Sequence, residues 1–175
     1  KEEVDALMKL FRNYMKKCIK ISKDNKMQVR VIGDPTAFDP DLQEKIKELE
    51  EYSSQYDELY FQIALNYGSR DEMKRAVQKM AEDVKAEKLN PEEISEQTIS
   101  DYLDTKGLPD PDLLIRTSGE ERLSNFLMWQ LAYTEFYFTD VAWPDFNKAE
   151  FEKAIAKYNQ RDRRFGGVKE EPANV

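Results

Sequence analysis

The sequence contains no histidine and only one cysteine, Cys18. The absence of histidine excludes a Ser–His–Asp triad, a Cys–His pair and any His-ligated metal site. A single cysteine excludes an intrachain disulfide framework and a CxxC metal or redox site. Cys18 falls in an amphipathic helical pattern, which predicts an ordinary, partly buried thiol.

The sequence also lacks a long apolar run. No stretch reaches the roughly 18 apolar residues that a membrane-spanning helix needs, and no signal peptide opens the chain. We therefore expect a cytoplasmic protein. The 27 Lys and Arg residues against 35 Asp and Glu residues give a net charge of −8. Because an acidic chain repels phosphate backbones at long range, nucleic acid is not an expected partner.

The chain of 175 residues is long enough for one domain with a substantial core, since 40 % of its residues are hydrophobic. Short apolar runs predict four strands, at residues 29–34, 60–66, 112–116 and 136–139. Helices are predicted around them, including a largely buried one over residues 122–132. This alternation predicts an α/β fold with a mostly parallel central sheet that helices cover on both faces.

In parallel α/β sheets, ligands collect beyond the carboxyl ends of the strands. The loops at residues 33–34, 66–68 and 116–119 follow three of the predicted strands. We therefore expect these loops to share one edge of the sheet.

A cluster of cationic and hydroxyl side chains begins at that edge. Arg116 ends the third predicted strand, and Arg122 and Ser124 come at the start of the next predicted helix. Two guanidinium groups, a hydroxyl and the free N–H groups of a helix N-terminus can together hold a diphosphate, a sulfate or a carboxylate. The alternative is a surface ion-pair cluster with Glu120 and Glu121. The residue pattern alone leaves both interpretations open.

Glu135 lies at the end of the same predicted helix, after a run of apolar and aromatic residues. A carboxylate in such surroundings needs a partner, and the pattern leaves open whether this is Mg²⁺ or an arginine. The basic residues near the end of the chain are either a solvated helix terminus or a second anion contact. These residues are Arg161, Arg163 and Arg164.

Segments along nearly the whole chain match one family signature in order. In chain order they are VIGD at 31–34, ALNYGSR at 64–70, LIRTSGEERLSNFLMWQ at 114–130, YTEFYFTD at 133–140, WPDF at 143–146 and RRFGG at 163–167. With these motifs the chain resembles the bacterial undecaprenyl diphosphate synthases, which are cis-prenyltransferases. So long an ordered match is not accidental.

The resemblance implies roles for individual residues. It assigns Arg116, Arg122 and Ser124 to binding the diphosphate of isopentenyl diphosphate. It assigns Glu135 to binding Mg²⁺, the implied cofactor, often from the partner subunit of a homodimer.

The resemblance also implies contacts at the rim of the site and in the tail. It places Gly166 and Gly167 in a segment that approaches the neighbouring subunit's active site, and Arg70 at the rim with a less defined role. Asp145, in the WPDF motif, is read as a structural or capping residue.

The sequence departs from the family pattern in three places. Gly68-Ser69 replaces a common Gly-Gly pair, and Glu121 stands where some relatives have histidine. The Asp-Gly-Asn-Gly-Arg loop, whose Asp binds Mg²⁺ and the allylic diphosphate in the family, is absent. The resemblance therefore implies that residues 1–167 are the C-terminal portion of a single cis-prenyltransferase domain, with 168–175 as a tail. It also implies a fold that is incomplete relative to the family, no catalytic Asp in this sequence, and an inactive chain on its own.

The implied function is the condensation of isopentenyl diphosphate with an allylic diphosphate, farnesyl diphosphate. The product would be undecaprenyl diphosphate, the lipid carrier of cell-wall precursors, which suggests a peripheral location at the membrane. Phe61, Leu65 and Val77 are candidates for the wall of an apolar tunnel, with core packing as the alternative. Two other functions stay open: a non-catalytic homologous subunit that binds isopentenyl diphosphate or a dimer partner, and an anion-binding module unrelated to lipids.

Overall fold

The computed structural model describes residues 2–161, which divide into two compact units. The N-terminal unit ends at Gly107, and the C-terminal unit begins at Leu108. The first contains α1 (Glu2–Asn25), β1 (Met27–Ile32), α2 (Pro40–Ser53), β2 (Leu59–Ala64), α3 (Ser69–Lys85) and α4 (Glu96–Tyr102). The second contains β3 (Leu113–Arg116), β4 (Glu135–Phe138) and α5 (Lys148–Asn159).

The core of the N-terminal unit lies where α1 and α2 pack against β1. Its buried residues follow helical spacing on the two helices and alternate along the strand, which removes their apolar surface from water. They are Met15, Cys18, Met27, Val29, Leu42, Ile46 and Leu49. The predicted position of Cys18 on a helix is thereby confirmed, and the thiol, predicted to be partly buried, is almost fully buried, with 3 % of its surface exposed.

β1 and β2 form a parallel pair in which Met27 lies opposite Leu59 and Ile32 opposite Ala64. On the edge of β1 that faces away from β2, backbone amides donate hydrogen bonds to side chains of α2. The amide of Val29 donates to Ser53 Oγ at 3.0 Å, and the amide of Val31 donates to Glu50 Oε1 at 2.7 Å. Among the described residues, side chains of α2 therefore occupy these two donors in place of a neighbouring strand.

Two of the three tunnel candidates do not pack in the core of their unit. Phe61 on β2 is 46 % exposed and Val77 on α3 is 59 % exposed, whereas Leu65 packs against the buried cluster. The alternative interpretation, that these side chains pack in the core, is therefore wrong for Phe61 and Val77. The buried residues of α3 are Ser69, Glu72, Ala76 and Met80, so Val77 lies outside its buried face.

α2 begins without a hydrogen bond from its N-cap side chain. Pro40 is the first helical residue and Asp39 is the N-cap residue, but the Asp39 side chain makes no hydrogen bond to the helix amides. Its carboxylate instead accepts a hydrogen bond from Arg12 of α1 at 2.5 Å. Arg12 also donates to Asp41 at 2.9 Å, so one guanidinium joins α1 to the first turn of α2.

In the C-terminal unit, β3 and β4 form a second parallel pair, with Leu113 opposite Glu135 and Arg116 opposite Phe138. The predicted α/β fold with parallel strands is thus confirmed. Among the described residues, hydrogen bonds join the strands as two parallel pairs, β1 with β2 and β3 with β4.

The predicted helix over residues 122–132 is wrong. The segment is a series of turns, and Ser124, Asn125 and Leu127 have positive φ angles, which a right-handed helix does not accommodate. Leu127 and Leu131 are nevertheless buried. The apolar spacing correctly predicted burial, but buried turns produce the same pattern as a helix, and the Ser-Asn dipeptide is the signal that favours a turn.

No helix in the part of the chain described, residues 2–161, has both the length and the apolar composition to cross a membrane.

Candidate functional site

Arg116, Arg122 and Ser124 come together in the C-terminal unit. Arg116 is the last residue of β3, and its guanidinium Nη1 donates to the backbone carbonyl of Arg122. Its Nη2 lies 3.5 Å from Ser124 Oγ. Because the segment after β3 turns back on the strand end, the Arg122 backbone and the Ser124 hydroxyl lie beside the Arg116 guanidinium. We call Arg116, Arg122 and Ser124 the anion cradle.

A turn at Ser118 and Gly119, directly after β3, brings these residues together. The amide of Ser118 donates to the carbonyl of Val141 at 2.9 Å, and the amide of Gly119 donates to the carbonyl of Thr139 at 3.0 Å. Both residues have positive φ, 66° at Ser118 and 67° at Gly119. The turn is thus fixed to the chain that follows β4, and it directs residues 120–124 towards the end of β3.

Arg122 forms an ion pair with Glu120, while 64 % of its side chain is exposed. The surface ion pair that the sequence left open as an alternative is therefore present at this residue. Because the pair is exposed, it contributes little stability and can be replaced by another anion.

A cavity of about 240 Å³ lies beside Arg116 and Arg122. Its wall combines these two cations with apolar side chains and backbone from β3 and the following turns. The lining residues are Leu114, Ile115, Arg116, Thr117, Arg122, Leu123 and Phe126. The cavity therefore offers positive charge next to an apolar surface.

The cradle differs in one respect from the expectation. The predicted contribution from the N–H groups of a helix N-terminus is wrong, because residues 122–132 are not helical. Anion binding at this site would depend on the two guanidinium groups, the Ser124 hydroxyl and the amides of the turns.

Glu135 is the first residue of β4, and its carboxylate is held by an arginine. Arg161 Nη1 donates to Glu135 Oε2 at 2.5 Å, and Arg161 Nη2 donates to the carbonyl of Phe136 at 3.1 Å. Of the two partners that the sequence left open for Glu135, the structure contains the arginine. Arg161 follows α5, so the pair also fixes the end of that helix to the start of β4.

The described residues do not by themselves form a site for Mg²⁺. Across residues 2–161, no group of three acidic or cysteine side chains is arranged to hold a metal ion. The one carboxylate that the resemblance assigns to the metal, Glu135, is bonded to a guanidinium. Mg²⁺ at this position stays a prediction.

The resemblance also names residues that are not part of the anion cradle. Arg70 is an exposed residue in the first turn of α3, in the N-terminal unit. Asp145 is an exposed residue in a short 3₁₀ helix, Trp143–Asp145. Gly166 and Gly167, together with Arg163 and Arg164, lie outside the described residues.

Sequence reasoning missed a polar network at the carboxyl ends of β1 and β2. Arg75 of α3 donates to both carboxylate oxygens of Asp104, at 2.8 and 2.7 Å, and these hydrogen bonds hold the pKa of Arg75 above its usual value. Tyr67 donates to Glu72 at 2.5 Å, and burial together with this carboxylate raises the pKa of Tyr67. The Arg75–Asp71 pair at i, i+4 was visible in the sequence, but the partners of Asp104 are about thirty or more residues away from it.

Comparison with known proteins identifies the family of this chain. The prenyltransferase family model described as undecaprenyl diphosphate synthase matches residues 1–166. An isoprenyl transferase of Geobacillus kaustophilus is 50 % identical over 96 % of this chain and 65 % of its own length. A ditrans,polycis-undecaprenyl-diphosphate synthase ((2E,6E)-farnesyl-diphosphate specific) of Haemophilus influenzae is 46 % identical over 95 % of this chain and 70 % of its own length.

Solved structures give the same result. Lavandulyl diphosphate synthase from Lavandula x intermedia, in complex with dimethylallyl diphosphate, superposes with a TM-score of 0.89 and 38 % identity, over 95 % of this chain and 72 % of that one. A probable undecaprenyl diphosphate synthase from Campylobacter jejuni gives a TM-score of 0.82 at 33 % identity, over 95 % of this chain and 76 % of that one.

The chain spans about two thirds of the length of the curated relatives it matches, for example 66 % of an isoprenyl transferase of Clostridium perfringens to which it is 46 % identical. The family model nevertheless matches almost all of this chain, and the matched residues include the whole cluster at Arg116, Arg122 and Ser124. The chain therefore belongs to the undecaprenyl diphosphate synthase family of prenyltransferases.

Proposed function

We propose that the C-terminal unit binds the diphosphate of isopentenyl diphosphate, and that the protein condenses this substrate with an allylic diphosphate such as farnesyl diphosphate. The proposal rests on one observation: the Arg116 guanidinium lies beside the Ser124 hydroxyl and the Arg122 backbone at the end of β3. Guanidinium groups bind phosphate oxygens through paired, charge-assisted hydrogen bonds, which suits this donor set to a diphosphate.

In this proposal the incoming diphosphate replaces Glu120 as the partner of Arg122. The exchange is favourable because a diphosphate carries more negative charge than one carboxylate and has more acceptor oxygens. The exposed position of the Arg122–Glu120 pair keeps the cost of breaking it small.

The apolar side of the neighbouring cavity suits the five-carbon part of the substrate. Leu114, Leu123 and Phe126 line the cavity that also contains Arg116 and Arg122. A substrate with a diphosphate head and a branched apolar group would therefore place its head on the arginines and its alkene against these side chains. This orientation would lower the entropic cost of bringing the alkene to its reaction partner.

The proposed reaction forms one carbon–carbon bond. The allylic carbon–oxygen bond breaks, the diphosphate leaves with the electron pair, the isopentenyl alkene attacks the allylic carbon, and a proton is lost. The residues of this chain contribute binding and orientation of the nucleophilic substrate, and the family resemblance adds Mg²⁺ to assist the leaving group. Undecaprenyl diphosphate, a homodimer, and a cytoplasmic enzyme at the membrane surface belong to the same proposal.

We further propose that the chain of 175 residues does not turn over on its own, because the Asp-Gly-Asn-Gly-Arg loop assigned to the allylic diphosphate is not among its residues. Incorporation of labelled isopentenyl diphosphate into a long-chain product by this chain would contradict that statement. The retained Arg116, Arg122 and Ser124 support an enzyme-derived sequence over a non-catalytic subunit that has lost its substrate site.

Calorimetric titration of isopentenyl diphosphate tests the binding proposal directly. We expect Arg116→Ala and Arg122→Ala each to weaken binding by roughly tenfold to a hundredfold, since a hydrogen bond to a charged group contributes about 1.5–3 kcal/mol. Arg30→Ala is the matched control, because Arg30 donates to the carbonyl of Lys106 in the N-terminal unit and lies outside the cradle. Unchanged affinity in both cradle variants would overturn the assignment. Equal affinity for inorganic phosphate and isopentenyl diphosphate would favour the anion-binding module.

A further inference from the structure

Asp104 joins separate segments of the N-terminal unit. Its carboxylate receives two hydrogen bonds from Arg75 of α3, at 2.8 and 2.7 Å. The same carboxylate accepts a hydrogen bond from the backbone amide of Gly33, directly after β1, at 2.9 Å. Only 19 % of the Asp104 side chain is exposed, so these bonds are partly shielded from water.

Glu72 extends this connection to the loop after β2. It is 1 % exposed, and its Oε1 accepts a hydrogen bond from the amide of Asp104 at 2.8 Å. Its Oε2 accepts one from the Tyr67 hydroxyl at 2.5 Å. The loop after β2, the first turns of α3 and the segment after α4 are therefore tied together through one buried carboxylate.

The loops after β1 and β2 are also bonded to each other. The amide of Asp34 donates to the carbonyl of Asn66 at 3.3 Å, and Asn66 Nδ2 donates to the carbonyl of Asp34 at 3.0 Å. Gly33 has a φ of 113°, and a Cβ placed there would lie 2.2 Å from the carbonyl oxygen of Leu65. The two loops thus approach so closely that only glycine fits at this position.

This arrangement is a costly way to obtain stability alone. Burying a carboxylate such as Glu72 requires that its hydrogen bonds be satisfied, and apolar side chains of similar volume often stabilise a fold as well. Gly33 also has a φ of 113°, and Asn66 has a positive φ of 47°, a left-handed conformation that asparagine adopts more readily than other non-glycine residues. Strained backbone and buried polar networks are found together where a protein must hold a loop in one conformation.

We propose that Asp104, together with Glu72 and Arg75, positions the loops 33–34 and 66–68 as a substrate-binding edge at the carboxyl ends of β1 and β2. The carboxyl ends of parallel strands are where α/β sheets bind ligands, and this network fixes the backbone of both loops at that edge. Asp104, Glu72 and Arg75 are positioning residues, because they act through the loops. The inference rests on the proposed function, since it takes the ligand to be one of the two diphosphate substrates.

Asp104→Ala and Asp104→Asn test the inference, with Asp83→Ala as the matched control. Asp83 also joins α3 to α4, accepting hydrogen bonds from Lys79 at 2.9 Å and from the Tyr102 hydroxyl at 2.9 Å, but it is not bonded to either loop. Each variant is titrated with isopentenyl diphosphate and with farnesyl diphosphate. Amide hydrogen exchange over residues 30–38 and the melting temperature are measured on the same samples.

We expect Asp104→Ala to weaken binding of at least one diphosphate by about tenfold, because small displacements of positioning groups are costly. Hydrogen exchange over residues 30–38 should accelerate in the same variant, since the amide of Gly33 loses its acceptor. Asp104→Asn keeps one acceptor oxygen and should fall between Asp104→Ala and the unchanged protein. Asp83→Ala should leave both measurements unchanged even where it lowers the melting temperature.

Two results would overturn the positioning role. One is equal diphosphate affinity in Asp104→Ala and Asp83→Ala, and the other is unchanged exchange over residues 30–38 in Asp104→Ala. If Asp104→Ala does not fold, Asp104→Asn is judged by the same two criteria. Loss of binding in Arg116→Ala with normal binding in Asp104→Ala overturns this inference alone. Absence of diphosphate binding by the unchanged protein overturns the proposed function and this inference with it.

Discussion

Arg161 holds the carboxylate of Glu135 through a 2.5 Å hydrogen bond and donates a second hydrogen bond to the carbonyl of Phe136. The side chains are 42 % and 23 % exposed, so the ion pair is partly open to solvent. The residue that the family resemblance assigns to Mg²⁺ is therefore paired with a cation that belongs to the chain itself. A metal ion that binds Glu135 Oε2 would compete with Arg161.

Replacing Arg161 should make Glu135 a better ligand for Mg²⁺. We expect Arg161→Gln to raise the affinity for Mg²⁺ by up to about fivefold, since a partly exposed ion pair contributes about 1 kcal/mol or less. Calorimetric titration with MgCl₂ measures the effect. Lys153→Gln is the control, because Lys153 forms a comparable pair with Glu150 on α5. An equal affinity for Mg²⁺ in Arg161→Gln and in the unchanged protein would show that Arg161 does not compete for the carboxylate.

Gly33, in the loop after β1, should tolerate an added side chain less well than Gly107 does. Gly33→Ala would place a Cβ 2.2 Å from a backbone oxygen at a φ of 113°. We expect it to lower the free energy of unfolding by about 3 kcal/mol or more. Gly107→Ala is the matched control, because Gly107 has a φ of 80° with open space around it. Its backbone strain alone should cost about 1–2 kcal/mol. Urea unfolding of both variants checks the order, and equal losses would contradict it.

The contact between α1 and α2 should make stability depend on acidic pH. The hydrogen bond from Arg12 holds the pKa of Asp41 below its ordinary value in the folded chain. This contribution is complete above the unfolded pKa of about 3.9, and it is lost as the pH falls through the lower folded pKa. We expect Asp41→Asn to reduce the pH dependence of unfolding below about pH 4. Urea unfolding at several pH values measures it, with Glu48→Gln on the exposed face of α2 as control. A pH dependence that is the same in both variants would contradict the assignment.

Cys18 should be almost inert in the folded protein. It is 3 % exposed, and burial raises the pKa of its thiol, so the reactive thiolate is scarce at neutral pH. We expect iodoacetamide to modify Cys18 at least about tenfold more slowly in buffer than in concentrated urea. Mass spectrometry of timed samples gives both rates. Rapid modification in buffer would show that the packing of α1 on α2 opens readily.

Some features of this protein follow from the sequence alone because they are local or compositional. The absence of histidine limited the chemistry, and the spacing of apolar residues predicted the approximate strand positions and the helices other than the one expected over residues 122–132. Ordered motifs predicted the family, which the comparisons confirm. Arg116, Arg122 and Ser124 are close in sequence, so their grouping was also predictable before their geometry was known.

Other features depend on tertiary structure because their partners are distant in the chain or because one pattern fits two conformations. Residues 122–132 have the apolar spacing of a buried helix, but packing places them in turns with left-handed residues at Ser124 and Asn125. Glu135 accepts a hydrogen bond from Arg161, which is 26 residues later in the chain. Asp104 accepts one from the amide of Gly33, which is 71 residues earlier. Periodicity reports which side chains avoid water, whereas the choice of partner for a charged group depends on which segments the fold brings together.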